Sequence, residues 1–136
     1  MDPAKHPLGK SPALEETVAP EVEKLVTEVI GRVADKWTMI VIDALAEKGE
    51  SRFSELEAAM PGISQKMLTQ TLRGLEREGL VVRTIYPEVP PRVQYRLTAL
   101  GLSLGEAFCG VWIWAQRNAQ AIEEARLAFD RRQQGG

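Results

Sequence analysis

From Val22 onward, apolar residues recur at three- and four-residue intervals through Leu25, Val26, Val29, Ile30 and Val33, with Glu21, Glu23, Lys24 and Glu28 between them. That is the period of a helix with one apolar face, and it predicts a first amphipathic helix starting near Pro20. Asp35 has the short acceptor side chain of an N-cap. It predicts a second helix through Trp37, Ile40, Val41, Ala44 and Leu45, which Lys48 and Gly49 close. In SRFSELEAAMPG, Ser54 is the expected N-cap of a short helix that buries Leu56 and Met60, and Pro61 with Gly62 breaks it. Ser64 then caps a fourth helix with Met67 at its third position. Leu68, Leu72 and Leu75 form its buried stripe, and Gly79 ends it. Two helices joined by a tight glycine-containing turn predict helix-turn-helix geometry.

The period then changes. LVVRTIY is rich in β-branched residues, EVPP supplies turn-forming prolines, and in RVQYRL the residues Val93, Tyr95 and Leu97 alternate with Arg92, Gln94 and Arg96. This pattern predicts a β-hairpin directly after the helix-turn-helix, the position of a wing. Thr98 caps a last helix whose apolar stripe runs from Leu100 through Leu104, Phe108, Val111, Trp112 and Ala119 to Ile122. Gly101, Gly105 and Gly110 each weaken that helix by about 1 kcal/mol relative to alanine. The stripe is longer and more aromatic than a small core needs on one side. The fold class read from these elements is mainly α with a small β-hairpin (α+β).

Composition narrows the function classes. At 136 residues and 44% hydrophobic content, one domain is expected, with residues 1–20 as a flexible arm, 21–130 as the folded domain and 131–136 as a C-terminal tail. The arm holds four of the eight prolines. No run approaches the roughly 18 apolar residues a membrane helix requires, so no membrane partner and a cytoplasmic location are expected. With Cys109 the only cysteine and His6 the only histidine, an intrachain disulfide is excluded, no metal site or other cofactor is expected, and triad chemistry lacks its raw material. A carboxylate pair such as Glu76 and Glu78 has no nucleophile beside it, so the chain does not read as an enzyme.

The net charge of −2 argues weakly against nucleic acid, but charge is unevenly spread. Residues 62–96 carry 6 Lys and Arg against 3 acidic residues, whereas residues 1–61 carry 7 against 12. A basic centre between acidic and neutral ends fits one face meeting phosphates. Because Leu68, Leu72 and Leu75 set the buried side, the fourth helix should expose Gln65, Lys66, Thr69, Gln70 and Arg73. Gln can pair with adenine, Lys or Arg with guanine, and the Thr methyl can touch thymine. Ser64 at the N-cap leaves amides and the positive helix end for a phosphate. Arg83 and Arg92 flank the hairpin tip, where Pro90 and Pro91 limit the entropy lost on docking. Glu88 at an otherwise basic tip is expected to pair with an arginine or cap the turn. A protein-interaction adaptor is the alternative function, but it has no need of the basic edge made by Lys66, Arg73 and Arg92.

Four other residues have simple structural expectations. Trp37, beside Lys36, is expected in the core, and Cys109 is expected as a buried inert thiol. Trp112 and Trp114 stand about 200° apart on a helix, so one is expected inside the core and the other at an interface or ligand cavity.

From about Val22 to Trp114 the chain resembles the HxlR-type winged helix transcription regulators, relatives of the MarR group. The resemblance is carried by DKWTMIVIDAL, by RFSELEAAMPGISQKMLTQTLRGLEREGLVVRTIYPEVPPRVQYRLTALG and by a late Trp on the final helix. It implies a homodimer joined through the first and last helices that binds a palindromic or nearly palindromic double-stranded DNA operator. It also implies a backbone contact at Ser51 and Arg52. Leu25, Val29, Phe108, Trp112 and Trp114 are the residues expected at the dimer seam or around a small-molecule effector. The gap between the last helix, the wing and the second helix is the expected place for that effector. Two departures qualify the resemblance. Redox-sensing members carry a cysteine just before the first helix, roughly fourteen residues ahead of the Lys-Trp pair, where this chain has Glu23, so their thiol switch does not carry over. Ala34 and Asp35 also stand where glycines are usual.

Overall fold

The computed structural model describes residues 19–135. The predicted N-terminal arm, up to residue 18, and residue 136 of the predicted tail lie outside the described residues.

Helix α1 (Pro20–Val33) and helix α2 (Lys36–Lys48) meet at a two-residue corner. Asp35 caps α2 as expected: one carboxylate oxygen accepts from the Thr38 amide at 3.0 Å and the other from the Thr38 hydroxyl at 2.9 Å. Ala34 sits at φ −82°, a conformation open to any residue, so the corner does not require a glycine. Gly49 closes α2 at φ +78°, the left-handed region that a side chain would resist.

Strand β1 (Ser51–Arg52) leads into helix α3 (Phe53–Ala59). The predicted cap at Ser54 is corrected. The cap is Arg52, two residues earlier, because the Glu55 carboxylate reaches back to accept from the Arg52 amide at 2.9 Å, which leaves Ser54 within the first turn. Helix α4 (Gln65–Arg77) has the predicted cap, with the Met67 amide donating to the Ser64 hydroxyl at 3.0 Å. Strands β2 (Val81–Tyr86) and β3 (Arg92–Leu97) form the expected antiparallel hairpin, with Arg83 opposite Tyr95 and Tyr86 opposite Arg92. Sequence patterning missed one strand. β1 pairs with β3, making a three-stranded sheet in the order β1-β3-β2; two residues are too few to express a period of two.

The core lies where α2, α3 and α4 meet the base of the hairpin. Val41, Ile42, Leu45, Leu56, Met60, Leu68, Leu72, Leu75, Leu80 and Val81 are all buried there. α2 runs through its centre and buries Ile42 as well as the predicted Val41, Ala44 and Leu45. Trp37 is half-buried and packs against this core.

The single last helix of the sequence reading is corrected to two. Helix α5 (Ala99–Arg117), capped by Thr98, ends at Asn118, and helix α6 (Ala119–Gly135) follows. α6 therefore extends through most of the predicted tail. The Asn118 amide closes the last helical turn on the Trp114 carbonyl at 3.1 Å, and its side-chain amide donates to the same oxygen at 2.8 Å, a local side-chain bond that asparagine readily offers at a helix end. α5 lies close against α2 and the strand ends. A Cβ at Gly101 would stand 2.2 Å from the Leu80 carbonyl oxygen, and one at Gly105 would stand 3.3 Å from Ile42 Cγ2. These two glycines lower helix propensity but allow that packing.

Candidate nucleic-acid interface

Helix α4 presents its leucine stripe to the core and its polar side outward. Leu68, Leu72 and Leu75 are buried, whereas Gln65, Lys66, Gln70 and Arg73 are exposed and Thr69 is half-buried. The predicted face is therefore accessible along the helix. At about 100° per residue, it divides into two flanks. Thr69 and Arg73 turn toward the hairpin, and Gln70 turns toward the corner between α1 and α2.

On the hairpin side lies a groove of about 550 Å³. Thr69, Arg73, Glu76 and Arg77 of α4 form one wall, Arg83 and Tyr95 of the sheet form the other, and Phe53 and Leu72 contribute apolar surface. Three guanidinium groups against one carboxylate make the groove net basic, although the chain as a whole is acidic. Arg73 and Arg83, predicted separately, are brought to this one groove. Arg77 was missed. It lies one helical turn beyond Arg73, and that i, i+4 spacing was the available signal; Tyr95 and Phe53 had no comparable signal.

The other predicted residues are dispersed. Ser51 is corrected: it is only 1% exposed and its hydroxyl donates to the Gly49 carbonyl at 3.0 Å, so it serves the turn and has no surface for a phosphate. Arg52 is exposed beside Gln94, its partner on β3. Side chains alternate along a strand, so Arg52, Arg92, Gln94 and Arg96 share the sheet face opposite to that of Arg83 and Tyr95.

Arg92 is held at the wing. Its guanidinium lies over the Tyr86 ring, 4.1 Å from the centroid, and donates to Glu88 at 3.0 Å. Glu88 thus pairs with an arginine, as expected of an acidic residue at this tip. The Tyr86 hydroxyl donates to Glu50 at 2.6 Å. That hydrogen bond, then desolvation and the Glu50 charge, hold the Tyr86 phenol above its usual range, while Arg92 and Arg96 oppose the shift.

The five residues expected at the dimer seam or effector site separate into two groups. Val29 and Phe108 pack against the protomer's own core. Leu25, Trp112 and Trp114 are exposed, at 56%, 66% and 60%. The expectation that one of the two tryptophans packs inside is corrected: α5 meets the core through Leu104 and Phe108, and positions 112 and 114 both fall outside that contact. None of the five lines either groove described here. Along the expected effector gap, α5 comes close to Leu80 at Gly101 and to Ile42 at Gly105. Cys109, expected to be buried, is exposed; one residue beyond Phe108, it is turned about 100° off the packed face. Among the described residues, no cluster of His, Cys, Asp and Glu could hold a metal ion, and no helix is long and apolar enough to cross a membrane.

A helix-turn-helix followed by a hairpin whose strands flank the second helix defines a winged helix-turn-helix protein. Residues 32–123 match the HxlR-like helix-turn-helix family, and the chain belongs to that family. It is 38% identical over 99 residues to YtfH of Escherichia coli K12, described as an uncharacterized HTH-type transcriptional regulator, an alignment covering 73% of this chain and 78% of that one. Among solved structures, the transcriptional regulator YtfH from Salmonella typhimurium is similar with a TM-score of 0.65 and 37% identity, covering 74% of this chain and 89% of that one. The redox regulator HypR in its reduced form is similar with a TM-score of 0.66 and 34% identity, covering 74% and 98%. The chain is a helix-turn-helix transcriptional regulator by family.

Proposed function

We propose that this protein is a homodimeric, sequence-specific DNA-binding regulator that reads a palindromic or pseudopalindromic operator in the cytoplasm. The observation that carries the reading is the exposed polar side of α4 next to the arginine-lined groove formed with the hairpin. Gln65, Lys66, Gln70 and Arg73 reach base edges in the major groove. Arg77 and Arg83 meet phosphates along its edge, and Ser64 leaves amides at the helix start for another.

Homodimerisation is supported by apolar surface that a lone protomer leaves in water. Val22, Leu25, Val26 and Ile30 are exposed on α1, Val111, Trp112, Ile113 and Trp114 on α5, and Leu127 and Phe129 on α6. Apolar exposure on this scale marks an interaction surface, and a second copy covers it symmetrically. The dimer then sets its two α4 helices about 34 Å apart, one turn of B-DNA. An effector that acts on such a protein has to bind one spacing better than another.

The test is selection of genomic fragments by the purified full-length protein, followed by measurement of dimer mass on the bound duplex. A recovered motif with two-fold symmetry, bound by two chains and losing affinity steeply with salt, is the expected result. Recovery of no specific duplex overturns the reading.

A further inference from the structure

Helix α1, the proposed partner-facing element, is thinly attached to its own protomer. Val33 at its end is its only buried residue, Val29 packs partly against the core, and most of its remaining apolar positions are exposed. One polar tie reaches from it to α4. The Arg32 guanidinium donates to Glu78 Oε1 at 2.6 Å, across 46 positions of sequence. The same carboxylate oxygen accepts from Arg77 at 3.1 Å. Glu78 directly follows the last residue of α4, and its side chain is only 15% exposed. Such a pair is shielded better than a fully exposed one, and its two donors fix the direction of the carboxylate.

This tie matters because of what it joins. Arg77 lines the basic groove on the hairpin side of α4, whereas Arg32 and Glu78 line a second groove of about 240 Å³ between α4 and the α1–α2 corner. Next to Gly74, on that same wall, there is open space where a side chain would otherwise fill the gap. Between α4 and the end of α1 there is therefore a partly empty groove bridged by an ion pair, not a solid apolar seam. An element attached in this way can pivot unless the pair holds it.

We infer that Glu78, gripping Arg32, is a positioning residue that fixes the angle between the dimerisation helix and the recognition helix, and so sets the half-site spacing the dimer accepts. The inference rests on the dimeric operator-binding reading above. A change in angle at the base of α1 is repeated by symmetry in both protomers, so a small local pivot is amplified in the distance between the two α4 helices. In this proposal Arg32 and Glu78 act through the angle of α1 alone. Their loss acts on spacing and leaves the contacts of a single half-site in place.

The experiment compares the full-length protein with Arg32→Gln, which leaves the Arg77–Glu78 contact intact, and with Glu78→Gln as the second side of the same bond. Each is titrated against duplexes carrying one half-site, or two half-sites separated by spacers that differ by single base pairs. Wild type is expected to prefer one spacer by tenfold or more. Both variants are expected to bind the lone half-site within about twofold of wild type while the spacer preference falls to threefold or less. In parallel, Lys66→Cys in a Cys109→Ser background places one spin label on each α4. The inter-label distance distribution of the DNA-free dimer is expected to widen when Arg32→Gln is added. Unchanged spacer preference together with an unchanged distribution overturns the inference while leaving operator binding standing. An equal loss on the lone half-site and on every spacer also overturns it, because that pattern is damage to the recognition surface. If wild type binds no duplex and the labelled Lys66→Cys/Cys109→Ser protein shows no dipolar coupling, the dimeric reading fails and the inference falls with it.

Discussion

The carbonyl oxygen of Leu80 lies so near Gly101 that a Cβ there would approach to 2.2 Å. Leu80 joins α4 to the hairpin and Gly101 lies in the first turn of α5, so this approach sets how closely α5 packs onto the winged domain. The obstacle is backbone, which cannot swing aside as a flexible side chain can. Gly101→Ala should destabilise the fold by about 2–3 kcal/mol through overpacking, and Gly110→Ala, with open space around it, should be neutral or slightly stabilising. Urea denaturation of both variants checks the contrast. Equal midpoints would mean that α5 does not pack as tightly as described.

On the recognition surface, Arg73 and Arg77 should separate by role. Arg73→Ala is expected to cost about 1–3 kcal/mol against the preferred operator and to relax discrimination at one base pair. Arg77→Ala should weaken all duplexes alike and lower the slope of log affinity against log salt by about one. Binding titrations at several salt concentrations, on the operator and on a scrambled duplex, measure both quantities. If the two variants behave identically, the assignment of base and phosphate contacts is wrong.

At the wing, Glu88 occupies the guanidinium that a phosphate would otherwise take, with Arg92 and Glu88 3.0 Å apart. Glu88→Gln should raise affinity for unrelated DNA several-fold by freeing Arg92 and removing a like charge near phosphate. The decisive comparison is the same substitution in an Arg92→Gln background, where most of the gain should vanish. A gain that persists there would come from bulk charge alone, independent of the pair.

Tyr86 supplies a pH reporter. Its phenol is held above the ordinary value near 10, first by its hydrogen bond to Glu50. Because the folded value is raised, the neutral phenol's contribution to stability is fully present below the unfolded pKa and is lost as pH rises through the folded one. Ultraviolet titration of the phenolate, with Tyr95→Phe to leave a single tyrosine in the chain, should give a midpoint above 10 that falls on Glu50→Gln. A midpoint that does not move would remove Glu50 as the cause.

Trp112 and Trp114 are both exposed on α5, so removing them should spare the protomer and damage the assembly. The double variant Trp112→Ala/Trp114→Ala is expected to keep its far-ultraviolet circular dichroism, to sediment as a monomer at micromolar concentration, and to bind the operator at least tenfold more weakly. Persistence of a wild-type dimer would place the interface elsewhere.

Much of the fold was legible because it is written in local terms. Asp35, Ser64 and Thr98 announce helix starts through short acceptor side chains. Gly49 and Gly79 announce ends through a backbone region that other residues avoid, and the leucine stripe of α4 settles which of its residues face outward. What was misread depends on partners distant in sequence or on competing local bonds. β1 exists only because β3 lies beside it. Ser51 is a polar residue buried by the turn that precedes it, and the break at Asn118 goes with a side-chain bond to the Trp114 carbonyl.

By itself, then, the sequence determined the helix-turn-helix, the hairpin after it and the outward set Gln65, Lys66, Gln70 and Arg73, because periodicity, caps and turn residues act within a few positions of one another. Only the tertiary structure decided that Arg73, Arg77 and Arg83 share one groove, that Arg92 is committed to Glu88 and Tyr86, and that Arg32 reaches Glu78. Those pairings are set by how α4 lies against the sheet and against the end of α1. That placement comes from packing of the buried leucines, and no local spacing along the chain encodes it.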